Sequence, residues 1–406
     1  MPLEALSRGC ALPPESGGRV KWGRAEEQVQ PQDPGGLHAW DSRALHGGDI
    51  WSAARALGKA PEDILDLSAS LNPLGPPPGL GQVLAGAADR VCHYPDRLAL
   101  ELREAIARRL GVEVANVLPA AGVTALLRMA ARSLAGNFSV VVAPTFGEVC
   151  RSLAIAGRRF AYVVAPEHQG FALGRAQLGE IWDLGPGCVW LTNPVSPSGT
   201  VVEPEVVQEL VEEAEARGVW VVVDEAFVDF VPGSVRAWAP EAVERYEHLV
   251  VLRSMTKFYC LAGLRLGYAL GSPEVLRRIA AMGEPWSVNT LAQVAGVWCL
   301  GQEEYEEITR ERVRSWRDSQ RSMLEGLGLS VAPSEANYLL CRLPDGGPSA
   351  AEVAQVCLRD HAVMVRDAST FHGCGPNHLR VAVAPPAQQR RLGLALRQAL
   401  GEGREE

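Results

Sequence analysis

Lysine is scarce in this chain of 406 residues: of 39 lysines and arginines, only Lys21, Lys59 and Lys257 are lysine. Lys257 lies inside the apolar stretch "VLRSMTKFYCLAGLRLGYAL" (251–270), with Arg265 eight residues further on. An amine in such surroundings titrates low, because desolvation disfavours its charged form, and the neutral amine is a nucleophile that can form a Schiff base. Arginine, permanently protonated, cannot do so. Asp224 closes the run "VWVVVD", and the Pro/Gly-rich loop "NPVSPSG" (193–199) follows "CVWLT". A carboxylate, an amine and a loop would thus meet at one edge of a sheet. Arg380, inside the apolar "NHLRVAVA", points to an anionic ligand, since an unpaired buried charge is costly.

The elements that must position these residues are legible from Ser139 onward. "SVVVAP" (139–144), "AYVVAP" (161–166), "CVWLTNP" (188–194), "VWVVVDEAF" (219–227) and "HLVVLRSM" (248–255) are continuous apolar runs of strand length. Such runs suit strands buried on both faces of a parallel sheet. Helical patterns lie between them, as in "EPEVVQELVEEAEARG" (203–218) with its terminal glycine. The pattern predicts an α/β fold with a large, doubly wound, mostly parallel sheet that binds ligands at the carboxyl ends of its strands. The last hundred residues read differently. A polar helix ("EEYEEITRERVRSWRDSQRSMLEGLG") with a solvated face precedes "ANYLLCRL", a helix, "AVMVRDA", "HLRVAVA" and a final helix, as in a smaller α+β domain. The expected division is a flexible extension over 1–45, an arm with part of the small domain over 46–90, a large domain over 91–300 and a small one over 301–406.

Composition bounds the function. The net charge of −9 offers no basic surface for nucleic acid or anionic lipid. No apolar run has membrane-spanning length, and no secretory leader is expected. Nine singly scattered cysteines without a CxxC pair suit reduced thiols in the cytoplasm. His372, Cys374 and His378 in "FHGCGPNH" lack a fourth ligand, and no metal is expected.

In order, "NPxxPxG", "DEAF", "SMTK" and "GLRLGY" resemble the fold-type I pyridoxal-phosphate enzymes of the class I/II aminotransferase group, from about His46 to Leu400. That resemblance implies pyridoxal 5′-phosphate bound covalently through Lys257, with Asp224 keeping the pyridine nitrogen protonated so that the ring acts as an electron sink. It assigns the cofactor phosphate to Ser254, Thr256, Arg265 and the backbone N–H groups of Gly122, Val123 and Thr124, just before a helical pattern. Phe146 matches the aromatic that stacks on the ring. Tyr94 matches a tyrosine that reaches the phosphate of a neighbouring subunit, implying a homodimer with shared sites. The glycines of "LAGLRLG" are expected to let the chain fold back so that Arg265 meets the phosphate.

The opening "HGGDIWSAARALGKAPEDILDLSASLNPLGPP" (46–77) resembles that of the threonine-phosphate decarboxylases of cobalamin biosynthesis. This implies a phosphorylated amino-acid substrate whose phosphate and carboxylate are held by His46, Asn72, Arg366 and Arg380. In the aminotransferase group Arg380 matches the arginine that clamps a carboxylate through two parallel hydrogen bonds, and the sequence leaves open which anion each arginine takes here. Histidinol-phosphate-type aminotransferases, which use 2-oxoglutarate, share the cofactor machinery and form a second reading. The chain departs from the group twice at the cofactor's phenolic oxygen: Ser196 replaces an asparagine and Phe227 a tyrosine. It also carries Ala120 and Ala121 before Gly122, where a Gly-Asn pair is usual. A cofactor-binding protein with weakened catalysis is therefore a third reading.

Overall fold

The computed structural model describes residues 46–401, apart from 135, 232 and 234–237, together with the short strand Trp22–Gly23. The extension expected over 1–45 otherwise lies outside the described residues. In chain order the strands begin with β1 (Trp22–Gly23), β2 (Leu65–Asp66), β3 (Val117–Ala120), β4 (Phe138–Ala143), β5 (Arg159–Val164), β6 (Cys188–Thr192) and β7 (Trp220–Asp224). They continue with β8 (Leu249–Ser254), β9 (Gly267–Gly271), β10 (Ser330–Val331), β11 (Tyr338–Arg342), β12 (Val363–Met364), β13 (Arg366–Asp367) and β14 (His378–Ala382).

The five apolar runs form β4 to β8, and they pair in parallel in the order β5-β4-β6-β7-β8. Antiparallel strands extend this sheet to β1 on one side and to β9 and β3 on the other. Side chains alternate along each strand, so each run feeds two cores. Val189 and Leu191 join Val206 and Leu210 of the helix Pro204–Arg217. Cys188 and Trp190 join Leu126 and Ala130 of the helix Val123–Ser133 on the other face. Both faces are covered, which is why the runs are apolar throughout rather than alternating.

A second, antiparallel sheet has the order β10-β11-β14-β13. Leu339, Cys341, Leu379 and Val381 pack against helices Ala350–His361 and Pro386–Leu400. The residues between them, Tyr338, Leu340 and Arg380, therefore share the opposite face, and Tyr338 and Leu340 pack into the core of the large sheet.

Two expectations need correction. "AVMVRDA" is not one strand: β12 pairs in parallel with β2, whereas β13 pairs with β14. The helix Glu303–Glu325 is solvated along part of its surface only, for Tyr305, Glu306, Thr309, Val313, Arg317, Gln320 and Leu324 form a buried stripe at helical spacing. Polar side chains serve there because each finds a partner. Glu306 meets Arg109 at 2.7 Å and the Tyr259 hydroxyl at 2.6 Å, and Gln320 Nε2 donates to the Ala382 carbonyl at 2.9 Å.

Candidate active site

Strand β8 ends at Ser254 and runs into a single helical turn, Met255–Phe258, that carries Lys257. The chain then returns as β9, antiparallel to β8, with Ser254 opposite Gly267. The return is not made by glycines. Cys260 and Arg265 themselves take left-handed backbone, at φ 56° and 59°. Gly267 is required for another reason: a Cβ there would stand 2.9 Å from the Arg253 carbonyl oxygen and 3.1 Å from the Val123 nitrogen. Its absence lets the start of helix Val123–Ser133 press against the end of β8.

That close approach builds an anion cradle. Gly122, at φ 84°, precedes the helix, whose first N–H groups have no side-chain cap. The Arg265 guanidinium lies so near Gly122 that a Cβ there would be 3.0 Å from its Nη2. Ser254 and Thr256 join hydroxyl to hydroxyl at 2.7 Å, both buried, at the same corner. Helix amides, two hydroxyls and a guanidinium are a donor set that fits a phosphate monoester.

Lys257 sits above this cradle, with Nζ 5.7 Å from the centre of the Phe227 ring. Burial brings its pKa down from 10.5 to about 8, with the positive charges of Arg380 and Arg265 acting in the same direction and Asp224 opposing them. At neutral pH a useful fraction is therefore neutral amine. Asp224, at the end of β7, is buried and accepts the Ala226 N–H at 3.0 Å. Burial pushes its pKa up to about 6, with the neighbouring Glu225 adding to the rise and the Ala226 N–H and Lys257 reducing it. A buried carboxylate of this kind gains from a cationic ring N–H, and the residues present fit a pyridinium carrying a phosphate arm. Phe146, half-buried after β4, packs against the core cluster that contains Ala120 and Val123 on either side of Gly122 in sequence.

The small sheet supplies the other wall. Arg366 on β13 and Arg380 on β14 are direct cross-strand partners, both nearly buried. The Phe371 ring lies 5.5 Å from the Arg366 guanidinium and 5.7 Å from that of Arg380, while Tyr338 lies 5.2 Å from Arg380 on its own side. Arg380 donates to the Ser68 carbonyl at 3.2 Å and to Ser196 Oγ at 3.4 Å. No carboxylate among the described residues forms a salt bridge with it. Burial and the neighbouring Arg380 bring Arg366 down to about 10, and burial lowers Arg380 as well. Two adjacent guanidinium groups, both beside the Phe371 ring, concentrate positive charge in a way that suits an anion.

The remaining expected residues fall in several places. Ser196 is buried in its loop beside Arg380, and Phe227 meets Tyr338 edge to face at 4.8 Å. His46 lies against Phe146, with ring centres 5.5 Å apart. Its place is set by Gly47, where any Cβ would run into the Ser68 carbonyl, and by the Gly48 N–H, which donates to Ser68 Oγ at 2.9 Å. Asn72, expected to hold substrate, turns inward instead. Its Nδ2 donates to the Phe258 carbonyl and the Tyr305 hydroxyl at 2.7 Å each, and its N–H to the Lys257 carbonyl at 3.0 Å. It thereby holds the turn that carries Lys257. Tyr94 is 80% exposed and lies against Trp286, the rings tilted by 31° with centres 4.9 Å apart.

Sequence reasoning missed Glu148, buried beside His46, and the pair Glu225–Arg253, joined at 2.8 Å behind Asp224. Nothing in the sequence distinguishes a buried Glu148 from an ordinary acid in a helix's first turn. Arg253, inside an otherwise apolar strand, carried the same signal as Arg380.

The aminotransferase class I and II family matches residues 62–394. The threonine-phosphate decarboxylase of Salmonella typhimurium is 33% identical over 360 residues, covering 88% of this chain and 97% of that protein. A histidinol-phosphate aminotransferase of Symbiobacterium thermophilum is 34% identical over 361 residues, covering 88% and 96%. Among solved structures, L-threonine-O-3-phosphate decarboxylase from Porphyromonas gingivalis superposes with a TM-score of 0.73 at 25% identity, covering 83% of this chain and all of that one (100%). An amine tuned to about 8 above a phosphate cradle, within this fold and at this similarity, makes the chain an enzyme of the pyridoxal-phosphate-dependent class I and II aminotransferase family.

Proposed function

We propose that this enzyme decarboxylates L-threonine O-3-phosphate to (R)-1-amino-2-propanol O-2-phosphate, the linker of the cobalamin nucleotide loop. The carrying observation is a third polar side chain, His46, beside the two arginines of the substrate wall. The glycine-locked segment His46–Gly48 sets an imidazole beside Phe146, and the Ser68 that fixes this segment also accepts from Arg380. A substrate bearing both a carboxylate and a phosphate would satisfy Arg366, Arg380 and His46 together.

Pyridoxal phosphate, when bound, supplies a ring that takes up the electron pair left at Cα. The chain's own residues do the rest. Lys257 Nζ, neutral in a useful fraction near pH 7, is the nucleophile that attaches the cofactor, and Asp224 holds the ring nitrogen protonated. Ser254, Thr256, Arg265 and the amides of Gly122, Val123 and Thr124 anchor the phosphate arm. Arg366, Arg380 and His46 fix the substrate's two anionic groups, and binding energy spent far from Cα thereby selects which bond there breaks. With the cofactor and substrate in place, Lys257 Nζ would hold the proton that returns to Cα. Phe227 offers no hydroxyl where many relatives have one, which fits the decarboxylase reading.

We further propose a cytoplasmic homodimer in which Tyr94 serves the neighbouring subunit's phosphate. Tyr94, Leu98 and Trp286 form an exposed apolar patch, and no described helix is long and apolar enough to cross a membrane.

The histidinol-phosphate aminotransferase reading is favoured by one observation, the 34% identity to such an enzyme. Purified protein loaded with cofactor separates the readings. Release of CO₂ from threonine phosphate without any 2-oxo acid supports decarboxylation. Amino transfer from histidinol phosphate to 2-oxoglutarate, without CO₂ release, contradicts it. A preparation that stays colourless after pyridoxal phosphate is added contradicts both.

A further inference from the structure

Glu148 opens the helix Glu148–Ile155, two residues after Phe146, with a side chain only 4% exposed. A buried carboxylate is costly unless it is paired. Three basic side chains surround this one: His46 Nε2 at 2.9 Å, Arg151 Nη1 at 3.2 Å and Arg128 Nη2 at 3.4 Å. They come from three parts of the chain. His46 belongs to the N-terminal segment, Arg151 to Glu148's own helix, and Arg128 to the helix whose first amides form the phosphate cradle. Burial pushes the Glu148 pKa up, but the His46 hydrogen bond and charge, followed by Arg151 and Arg128, hold it below the ordinary carboxylate value.

An ionised carboxylate only accepts, so the His46 nitrogen facing it must carry a proton. That fixes the ring's orientation and leaves Nδ1, which has no protein partner among the described residues, to donate to an anionic ligand when it carries a proton as well. Neutralising Glu148 for the sake of the fold would not require His46, since two arginines already approach it. The histidine, its side chain 28% exposed, is the least exposed of the three partners, and it lies against Phe146.

We propose that Glu148 is a positioning residue for recognition of the substrate's phosphate: it holds His46 by Nε2 so that Nδ1 is presented to that phosphate, and so sets the preference for phosphorylated over unphosphorylated amino acids. This rests on the decarboxylase reading above for its substrate.

The test is a double-mutant cycle on the cofactor-loaded enzyme with Glu148→Gln, His46→Ala and both. Binding of threonine phosphate and of threonine is read from the cofactor's visible absorbance, alongside kcat and KM. Glu148→Gln should raise Kd and KM for threonine phosphate about tenfold, as for a lost charge-assisted contact, with kcat within about twofold and threonine binding unchanged. The double variant should be no worse than His46→Ala alone. An unchanged KM, an equal loss for both ligands, or fully multiplicative effects in the double variant would overturn the proposal. If Glu148→Gln does not fold, Glu148→Asp keeps the charge but falls short of Nε2, and an unchanged phosphate preference in that variant likewise refutes the role. Should the wild type release no CO₂, the substrate reading fails on its own. The cycle is then scored on histidinol phosphate against histidinol, with the same outcomes deciding it.

Discussion

The two walls of the site are built on different principles. The cofactor wall comes from consecutive strand ends of one parallel sheet, β7 and β8, with the helix start at Gly122 pressed against them. Four of its groups, Ser254, Thr256, Lys257 and Arg265, fall within twelve residues, and Asp224 and the amides at Gly122 join them from the neighbouring strand and helix. The substrate wall is assembled from three distant segments: the His46–Gly48 turn, the Ser196 loop and the cross-strand pair Arg366–Arg380. In the first wall charge is tuned by burial and neighbouring charges, so that Lys257 falls to about 8 and Asp224 rises to about 6. In the second, the Arg366 and Arg380 guanidinium groups lie side by side against the Phe371 ring. The difference suggests that one wall is fitted to a cofactor that stays and the other to an anion that leaves.

If the cofactor wall does chemistry and the substrate wall does binding, variants should separate along that line. Lys257→Ala should lower turnover by at least about 10⁴-fold and abolish the visible band of the covalently held cofactor, both read on one sample. Asp224→Ala should reduce kcat by about 10²–10³-fold, in line with losing a preorganised charge at the reacting group, and weaken cofactor retention on dialysis. Arg380→Lys belongs to the other wall. KM for threonine phosphate should rise about 10–100-fold while the cofactor spectrum stays unchanged, and a fall in kcat alone would break the comparison.

Smaller effects sharpen it. The rate at which the apoprotein takes up pyridoxal phosphate should rise with pH through a midpoint near 8, where Lys257 is half deprotonated, rather than near the ordinary 10.5. The sign follows from the neutral amine being the nucleophile. A midpoint close to 10.5 would mean that Lys257 is not tuned by its surroundings. Ser196→Ala removes only a 3.4 Å contact to Arg380, and KM should change by about two- to fivefold.

The same contrast explains what the sequence disclosed. Strands β4 to β8 were legible because both of their faces are buried, leaving unbroken apolar runs. Lys257 and Asp224 were legible because each polar residue ends such a run. The left-handed turn at Arg265 was not, since glycines nearby were the obvious candidates and the strain falls on Cys260 and Arg265 instead. The buried stripe of the helix Glu303–Glu325 was hidden for another reason. Glu306, Arg317 and Gln320 look solvated until their partners, supplied by distant segments, are known. Asn72 was singled out within the N-terminal pattern, but its direction depends on Phe258 and Tyr305, far away in the chain. Glu148 had no signal at all, because its meaning depends on His46, 102 positions earlier.

The central claim is that this site binds a phosphorylated amino acid and removes its carboxylate. The most direct measurement gives the cofactor-loaded enzyme threonine phosphate, histidinol phosphate and 2-oxoglutarate together and identifies the products by NMR. The account predicts 1-amino-2-propanol phosphate and CO₂ in equal amounts, with 2-oxoglutarate untouched. Accumulation of glutamate, with threonine phosphate left intact, would contradict it.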